Sequence, residues 1–182
     1  MVQAEGDAQP TPFSFTTRIV SGNTERAPLE FSLVYLFRSN FRAGIEYMPS
    51  HGEKNARWVP LANWRLVEAD GKRPAVALGM SSAWPSSRVK GEAYSLTLAQ
   101  AWGQNWSGYA SVSFAPKAER SADKWYQPLG LSYKWSKHWQ SRLMWDGNKM
   151  HPAVSYVSNS DWSASVFLLD GENPTLSVTY GF

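Results

Sequence analysis

Residues 129–145, which read LGLSYKWSKHWQSRLMW, alternate between apolar and polar side chains on both sides of a short polar segment. Successive side chains of a strand point to opposite faces, so this period of two favours strands with one apolar face. The segment predicts two strands around a three-residue turn, with Trp135 opposite Trp139. In that register Leu131 lies opposite Leu143. The other face carries Gly130, Ser132, Lys134, Gln140, Arg142 and Met144.

The same spacing, an aromatic residue on each side of three turn residues, recurs at Phe37–Phe41 and at Trp102–Trp106. Alternating segments flank both, so we predict hairpins there as well. Along the whole chain the pattern predicts about twelve strands, with ten as the alternative, and most are near the length that spans a tilted bilayer. The predicted strands are 12–20, 29–37, 41–47, 58–69, 74–82, 93–102, 106–115, 129–135, 139–145, 150–157, 162–169 and 174–182.

Aromatic residues cluster near the ends of these strands, with smaller apolar residues between them. Trp and Tyr concentrate at membrane–water interfaces because their rings are amphipathic. We therefore predict an all-β fold, a transmembrane antiparallel up-and-down β-barrel, over a soluble aromatic-rich β-domain. The predicted membrane-interface aromatics are Phe37, Phe41, Trp102, Trp106, Trp135, Trp139, Trp145 and Trp162.

Composition excludes several other classes. The 182 residues allow one domain, at 12–182, after a flexible segment 1–11 in which Val2 and Ala4 fit a signal-peptidase site. The chain has no cysteine, which excludes a disulfide scaffold and a cysteine metal site, and no cofactor or metal motif is present. The net charge of +3, without a dense basic cluster, does not indicate nucleic-acid binding.

Charged residues fall on the face that would line the barrel interior. They are Arg18, Glu30, Arg42, Glu46, Arg65, Lys134 and Arg142, with Asp146 at a strand end. Basic groups outnumber acidic ones, so an open pore would favour anions. Alternatively the charges pair with each other and fill a structural or assembly-subunit barrel, because buried charges require partners. Twelve strands lie between filled and water-filled barrels, so both alternatives stay open.

A lipid hydrolase or acyltransferase of the outer membrane is a further alternative. It would need a nucleophile and a base, and the candidate pairs are Ser50 with His51 and His151 with Asp146. Neither pair belongs to a catalytic motif, and a hydrated loop histidine is the simpler interpretation. We therefore assign no catalytic residue.

The C-terminal residues 175–182, TLSVTYGF, resemble the terminal β-signal of Gram-negative outer-membrane proteins. Thr175, Tyr180 and Phe182 match that signal, whereas Ser177 stands where glycine is usual. The resemblance implies insertion by the barrel-assembly machinery, with Tyr180 and Phe182 as the assembly signal. It also implies an outer membrane as the surroundings, with lipid and lipopolysaccharide as neighbours. The expected function is a passive or export-linked channel for small or anionic solutes.

Overall fold

The structure is a computed structural model that describes residues 11–22, 27–50, 55–82, 91–118 and 124–182. Within these residues the chain forms thirteen β-strands, and none of its helical turns is long and apolar enough to cross a membrane. The strands are β1 (Phe13–Val20), β2 (Leu29–Arg38), β3 (Phe41–Met48), β4 (Arg57–Val67), β5 (Ala75–Ser82), β6 (Glu92–Trp102), β7 (Trp106–Phe114), β8 (Trp125–Tyr126), β9 (Leu129–Lys134), β10 (Trp139–Trp145), β11 (Met150–Val157), β12 (Trp162–Leu169) and β13 (Asn173–Gly181). The predicted cleavage site and His51 lie outside the described residues.

Twelve of these strands close into one antiparallel barrel. Strands that are neighbours in sequence are hydrogen-bonded, except that β9 pairs with β7, and β13 returns to pair with β1. The additional strand β8 has two residues and pairs with the end of β7 beyond β9. The prediction of an all-β barrel of about twelve strands is confirmed.

The barrel has two different ends. The short-turn rim carries the turns after β2, β4, β6, β9 and β11, together with both ends of the barrel chain, where Phe13 and Phe182 exchange backbone hydrogen bonds. The long-loop rim carries the remaining connections, including the tight turns after β10 and β12.

Two of the three predicted aromatic hairpins have the predicted register. Leu143 pairs with Leu131, and the Trp135 amide donates to the Trp139 carbonyl across 2.9 Å. Trp102 pairs with Trp106. The third hairpin differs, because a β-bulge follows Leu36 and pairs Arg38 with Phe41, so Phe37 has no direct cross-strand partner.

The outward face of the wall is apolar and exposed. Leu131, Leu143 and Val166 near the middle of their strands are 43%, 44% and 57% exposed. A contiguous apolar surface of this extent is not found on ordinary soluble monomers, and it matches the lipid-facing band of a membrane barrel.

Aromatic rings border this band at the short-turn rim. The Phe13 ring lies 5.5 Å from that of Phe182 and 4.7 Å from that of Tyr35, and Tyr35 lies 4.7 Å from Phe37. The remaining predicted aromatics at this rim are Phe41, Trp102, Trp106, Trp135, Trp139 and Trp162.

The long-loop rim has its own aromatic pairs. The rings of Tyr47 and Trp58 lie 4.4 Å apart, and those of Phe114 and Trp125 lie 4.7 Å apart. Trp145 ends β10 at this rim. The apolar band therefore lies between two aromatic borders, as the sequence predicts.

Candidate functional site: the barrel interior

The inward face carries many small and polar residues, and it alternates with the apolar face along every strand. On β6 and β7 the inward residues include Ala93, Ala99, Ser111 and Ser113, each less than 10% exposed. Cross-strand hydroxyl pairs connect neighbouring strands: Thr16 with Thr179 at 2.8 Å, Thr97 with Ser111 at 2.6 Å and Ser155 with Ser165 at 2.8 Å. The inward strand positions of β6 and β7 that the structure describes carry no charge.

An ion pair joins β1 to β2 on the charged side of the interior. The Arg18 Nη1 atom lies 2.6 Å from the Glu30 Oε2 atom, and the two side chains are 24% and 9% exposed. The guanidinium carbon of Arg18 also lies 5.9 Å from the centre of the Phe167 ring. Arg18 is therefore fixed between a carboxylate and an aromatic face.

Glu46 is the second buried carboxylate of this side, with 8% of its surface exposed. Ser82 donates a hydrogen bond to it, while Glu30, Arg18 and Arg57 act on it electrostatically. Arg57 begins β4 and points inward beside Met48, whose sulfur accepts from Nε across 3.2 Å. The sequence interpretation missed Arg57, since it started the strand one residue later.

Arg42 and Arg65 lie close together near the short-turn rim, where each acts on the other by charge repulsion. Arg65 donates to the Ser39 carbonyl across 2.9 Å, and its Nε lies 2.8 Å from the exposed carboxylate of Glu68. This corner of the interior therefore carries more positive than negative charge.

Arg142 and Lys134 lie on the opposite arc, on β10 and β9. Arg142 donates to the Ser132 hydroxyl across 3.3 Å and lies within electrostatic range of Tyr109. The Tyr109 ring covers Gly130 so closely that an added Cβ there would lie 2.1 Å from a ring carbon. Glycine at this position thus lets the tyrosine lie against the wall instead of across the lumen.

All seven predicted lumen residues lie on inward strand positions, and their role in transport remains a prediction.

A cluster of three residues, which we call the rim cluster, joins two turns at the long-loop rim: Asp146, His151 and Asp170. His151 has no exposed surface, and its Nε2 atom lies 2.8 Å from the Asp146 Oδ2 atom. Its Nδ1 atom accepts the Asp170 amide hydrogen across 2.9 Å. The sequence suggested the pair Asp146–His151 but gave no signal for Asp170 beyond an Asp-Gly turn.

Hydrogen bonds outweigh burial in setting the charge of Asp146. Burial alone would raise its pKa, but hydrogen bonds from His151 and from the amides of Lys149 and Asn148 together lower the pKa below its usual value. Those amides donate to Oδ1 across 2.8 Å and 2.7 Å. Asp146 is therefore ionised at neutral pH.

The rim cluster does not have the form of a catalytic pair or of a metal site. Ligand atoms of its three residues lie within 4.8 Å of one another, but both ring nitrogens of His151 already have hydrogen-bond partners. In this structure both ring nitrogens are occupied by hydrogen bonds within the protein. The other enzymatic candidate, Ser50 with His51, falls partly outside the described residues.

The C-terminal signal residues belong to the last strand. Tyr180 pairs with Phe15 and Trp162 across the two neighbouring strands, and the Tyr180 and Phe182 rings stack with centres 6.2 Å apart. Both point outward and are more than half exposed.

No family model and no curated protein matches this sequence. Among solved structures, the fold is similar to that of a protein described as "KdgM porin", with a TM-score of 0.64 and 12% sequence identity. The similarity covers 93% of this chain and 98% of that chain. At this identity the comparison shows the fold alone, a closed antiparallel β-barrel.

Proposed function

We propose that the protein is a porin-like channel of the bacterial outer membrane that passes small anionic solutes. The observation that carries the proposal is the charge of the interior, combined with the apolar outer face. The inward strand positions that the structure describes carry six basic residues and only two carboxylates, Glu30 and Glu46. A positive interior concentrates anions and repels cations along the path.

The arrangement of these charges supports an open path. The carboxylates lie on β2 and β3, beside Arg18 and Arg57, so the charges balance there. Of the remaining basic residues, Arg42 and Arg65 lie on one arc, with the Glu68 carboxylate next to Arg65, and Lys134 and Arg142 lie on the other. Both arcs therefore carry more basic than acidic groups among the described residues, which favours anions along the path.

The surroundings and the assembly route belong to the same proposal. The apolar band between aromatic borders fits a bilayer, with lipid and lipopolysaccharide against it. The terminal Tyr180 and Phe182 are exposed on the last strand, where the barrel-assembly machinery would read them. The solved porin of similar fold supports this class of function.

Ion selectivity in a planar bilayer tests the proposal. With a salt gradient of potassium chloride across the membrane, we expect a reversal potential that reports preference for chloride. Reversing one charge near the ion path changes the energy of a passing ion by about 1 kcal/mol in water, so Arg142→Glu should lower the chloride preference roughly fivefold. Arg42→Glu should act in the same direction.

Arg73→Glu provides the matched control, because Arg73 lies in the β4–β5 turn with 74% of its side chain exposed. It makes the same charge change outside the lumen and should alter selectivity much less. A bilayer that stays silent with folded protein would contradict the channel and favour a plugged structural barrel. Cation preference would contradict the anionic solute class alone.

A further inference from the structure

The rim cluster has one arrangement of hydrogens that satisfies its contacts. The Asp170 amide must donate to Nδ1 of His151, so Nδ1 carries no hydrogen and Nε2–H donates to the Asp146 carboxylate. The imidazole is therefore neutral in this structure. It holds the β10–β11 turn, through Asp146, to the β12–β13 turn, through Asp170.

One atom of the cluster is left without a hydrogen bond. Asp170 Oδ1 is buried and has no hydrogen-bond partner among the described residues, although it lies 3.9 Å from the Nδ1 atom of His151. Asp170 is also the single non-glycine residue with a positive φ in the described chain, at 58°. A non-glycine residue in this conformation carries strain of about 1 kcal/mol or more, which the surrounding contacts must offset.

Titratable or charged residues lie on each element around this cluster. The β10–β11 turn contributes Asp146 and Lys149, whose Nζ lies 3.8 Å from the Asp170 Oδ2 atom. The β12–β13 turn contributes Asp170 and Glu172. The nearest charge on β1 is Arg18, which lies over Phe167. Tyr126 of β8 packs against Gly147.

The remaining contacts are apolar. Val20, Ala153, Phe167 and Leu169 form a buried cluster of the interior next to His151 along β11 and β12, with exposures from 1% to 9%. Water has little access to the imidazole and to Asp146, whereas the Asp170 side chain is 21% exposed, so the charge of the imidazole acts most strongly on the buried side of the cluster.

We propose that the rim cluster is a proton-operated switch that repositions the β12–β13 turn. When Nδ1 binds a proton from solvent, it can no longer accept the hydrogen of the Asp170 amide. The new Nδ1–H and the amide N–H then point at each other and repel. The new Nδ1–H donates instead to Asp170 Oδ1, which has to approach from 3.9 Å to about 2.9 Å. The acid form is thus an imidazolium between two carboxylates, with the Asp170 amide released and its turn moved.

The switch does not depend on the channel proposal, because its test needs no conductance. We would record nitrogen-15 and proton NMR spectra of the protein in detergent micelles between pH 7.5 and pH 4.5. At pH 7.5 the His151 ring should show a bare Nδ1 and a protonated Nε2. On acidification both nitrogens should become protonated, while the Asp170 amide proton moves upfield as its hydrogen bond is lost. The variant His151→Gln lacks the His151 ring, so comparison with it assigns the remaining histidine signals to His51 and His138.

The variant Asp170→Asn tests whether the Asp170 carboxylate accepts the new Nδ1–H of His151. It keeps the amide N–H but replaces the anionic oxygen, so the acid-induced shift of the residue 170 amide signal should be smaller than in the wild-type protein at the same pH. Protonation of His151 with an unchanged Asp170 amide would overturn the proposal. So would a ring that stays neutral at pH 4.5 in the folded wild-type protein. If Asp170→Asn does not fold, the wild-type titration alone decides between these outcomes.

Discussion

The two faces of the barrel wall differ in what their residues must provide. The outward face is defined by one property, hydrophobicity, and its side chains such as Leu131 and Val166 are exposed without specific partners. The inward face is defined by pairs, such as Arg18 with Glu30 and Thr97 with Ser111. Many apolar residues could replace one another outside, whereas inside the identity of each partner matters. Substitutions on the two faces should therefore differ in their energetic cost.

A charge in the middle of the outward face should cost the most. Leu131→Arg places a guanidinium against hydrocarbon and should lower the free energy of unfolding in lipid vesicles by about 2–4 kcal/mol. Denaturant titration followed by tryptophan fluorescence measures the change. Ser32→Arg is the matched control, because Ser32 points inward next to Glu46 on the neighbouring strand.

Ser32→Arg should cost less than about 1 kcal/mol, since the new charge meets a carboxylate and the lumen instead of lipid. Equal costs for both variants would mean that the two faces do not differ in their surroundings.

The second-largest loss of stability is expected when one partner of the interior ion pair is removed. Arg18→Ala leaves the buried Glu30 carboxylate without its guanidinium and should destabilise the barrel by about 2 kcal/mol, less than in a dry core because Arg18 is 24% exposed. Adding Glu30→Gln should restore part of the loss. A double-mutant cycle with a coupling energy near zero would show that the pair is not formed in the membrane.

The contact of Tyr109 with Gly130 tests the shape of the lumen. Gly130→Ala forces the ring off the wall, because the new methyl group would overlap it, and should cost about 1–2 kcal/mol. It should also reduce the single-channel conductance. Combination with Tyr109→Ala should restore the conductance. If neither substitution changes the conductance, Tyr109 lies away from the ion path.

The smallest effect is expected from a neutral hydroxyl pair. Thr97→Val keeps the shape but removes one partner of the Thr97–Ser111 hydrogen bond of 2.6 Å, so it should cost about 1 kcal/mol. A loss as large as that of Arg18→Ala would show that the uncharged arc is packed as tightly as a soluble core.

Alternation along the strands made the outward face predictable from sequence. The pairing of Leu131 with Leu143 follows from a period of two and a short turn, and both are local features. The register failed at Phe37, where a bulge inserts one residue. Nothing in the residues Arg38–Asn40 marks that bulge, since it depends on how β2 and β3 meet in the closed barrel.

The inward face was predictable as a set of positions but not as a set of contacts. The sequence placed Arg18, Glu30 and Arg142 inside, yet the partner of each depends on which strands become neighbours and how far they are shifted. Asp170 joins His151 from a turn nineteen residues away, so no local pattern could reveal it. Arg57 was missed for a simpler reason, because strand ends are the least certain part of a pattern.

If one face of each strand meets lipid while the other lines a water-accessible interior, the two faces of β10 differ in their access to water. The chain has no cysteine, so single cysteines can be placed along β10 of the protein in lipid vesicles and treated with a charged, water-soluble thiol reagent. Cysteines at Gln140 and Met144 should react, and those at Ser141 and Leu143 should remain protected. Reaction at all four positions, or at Ser141 and Leu143 alone, would contradict the account.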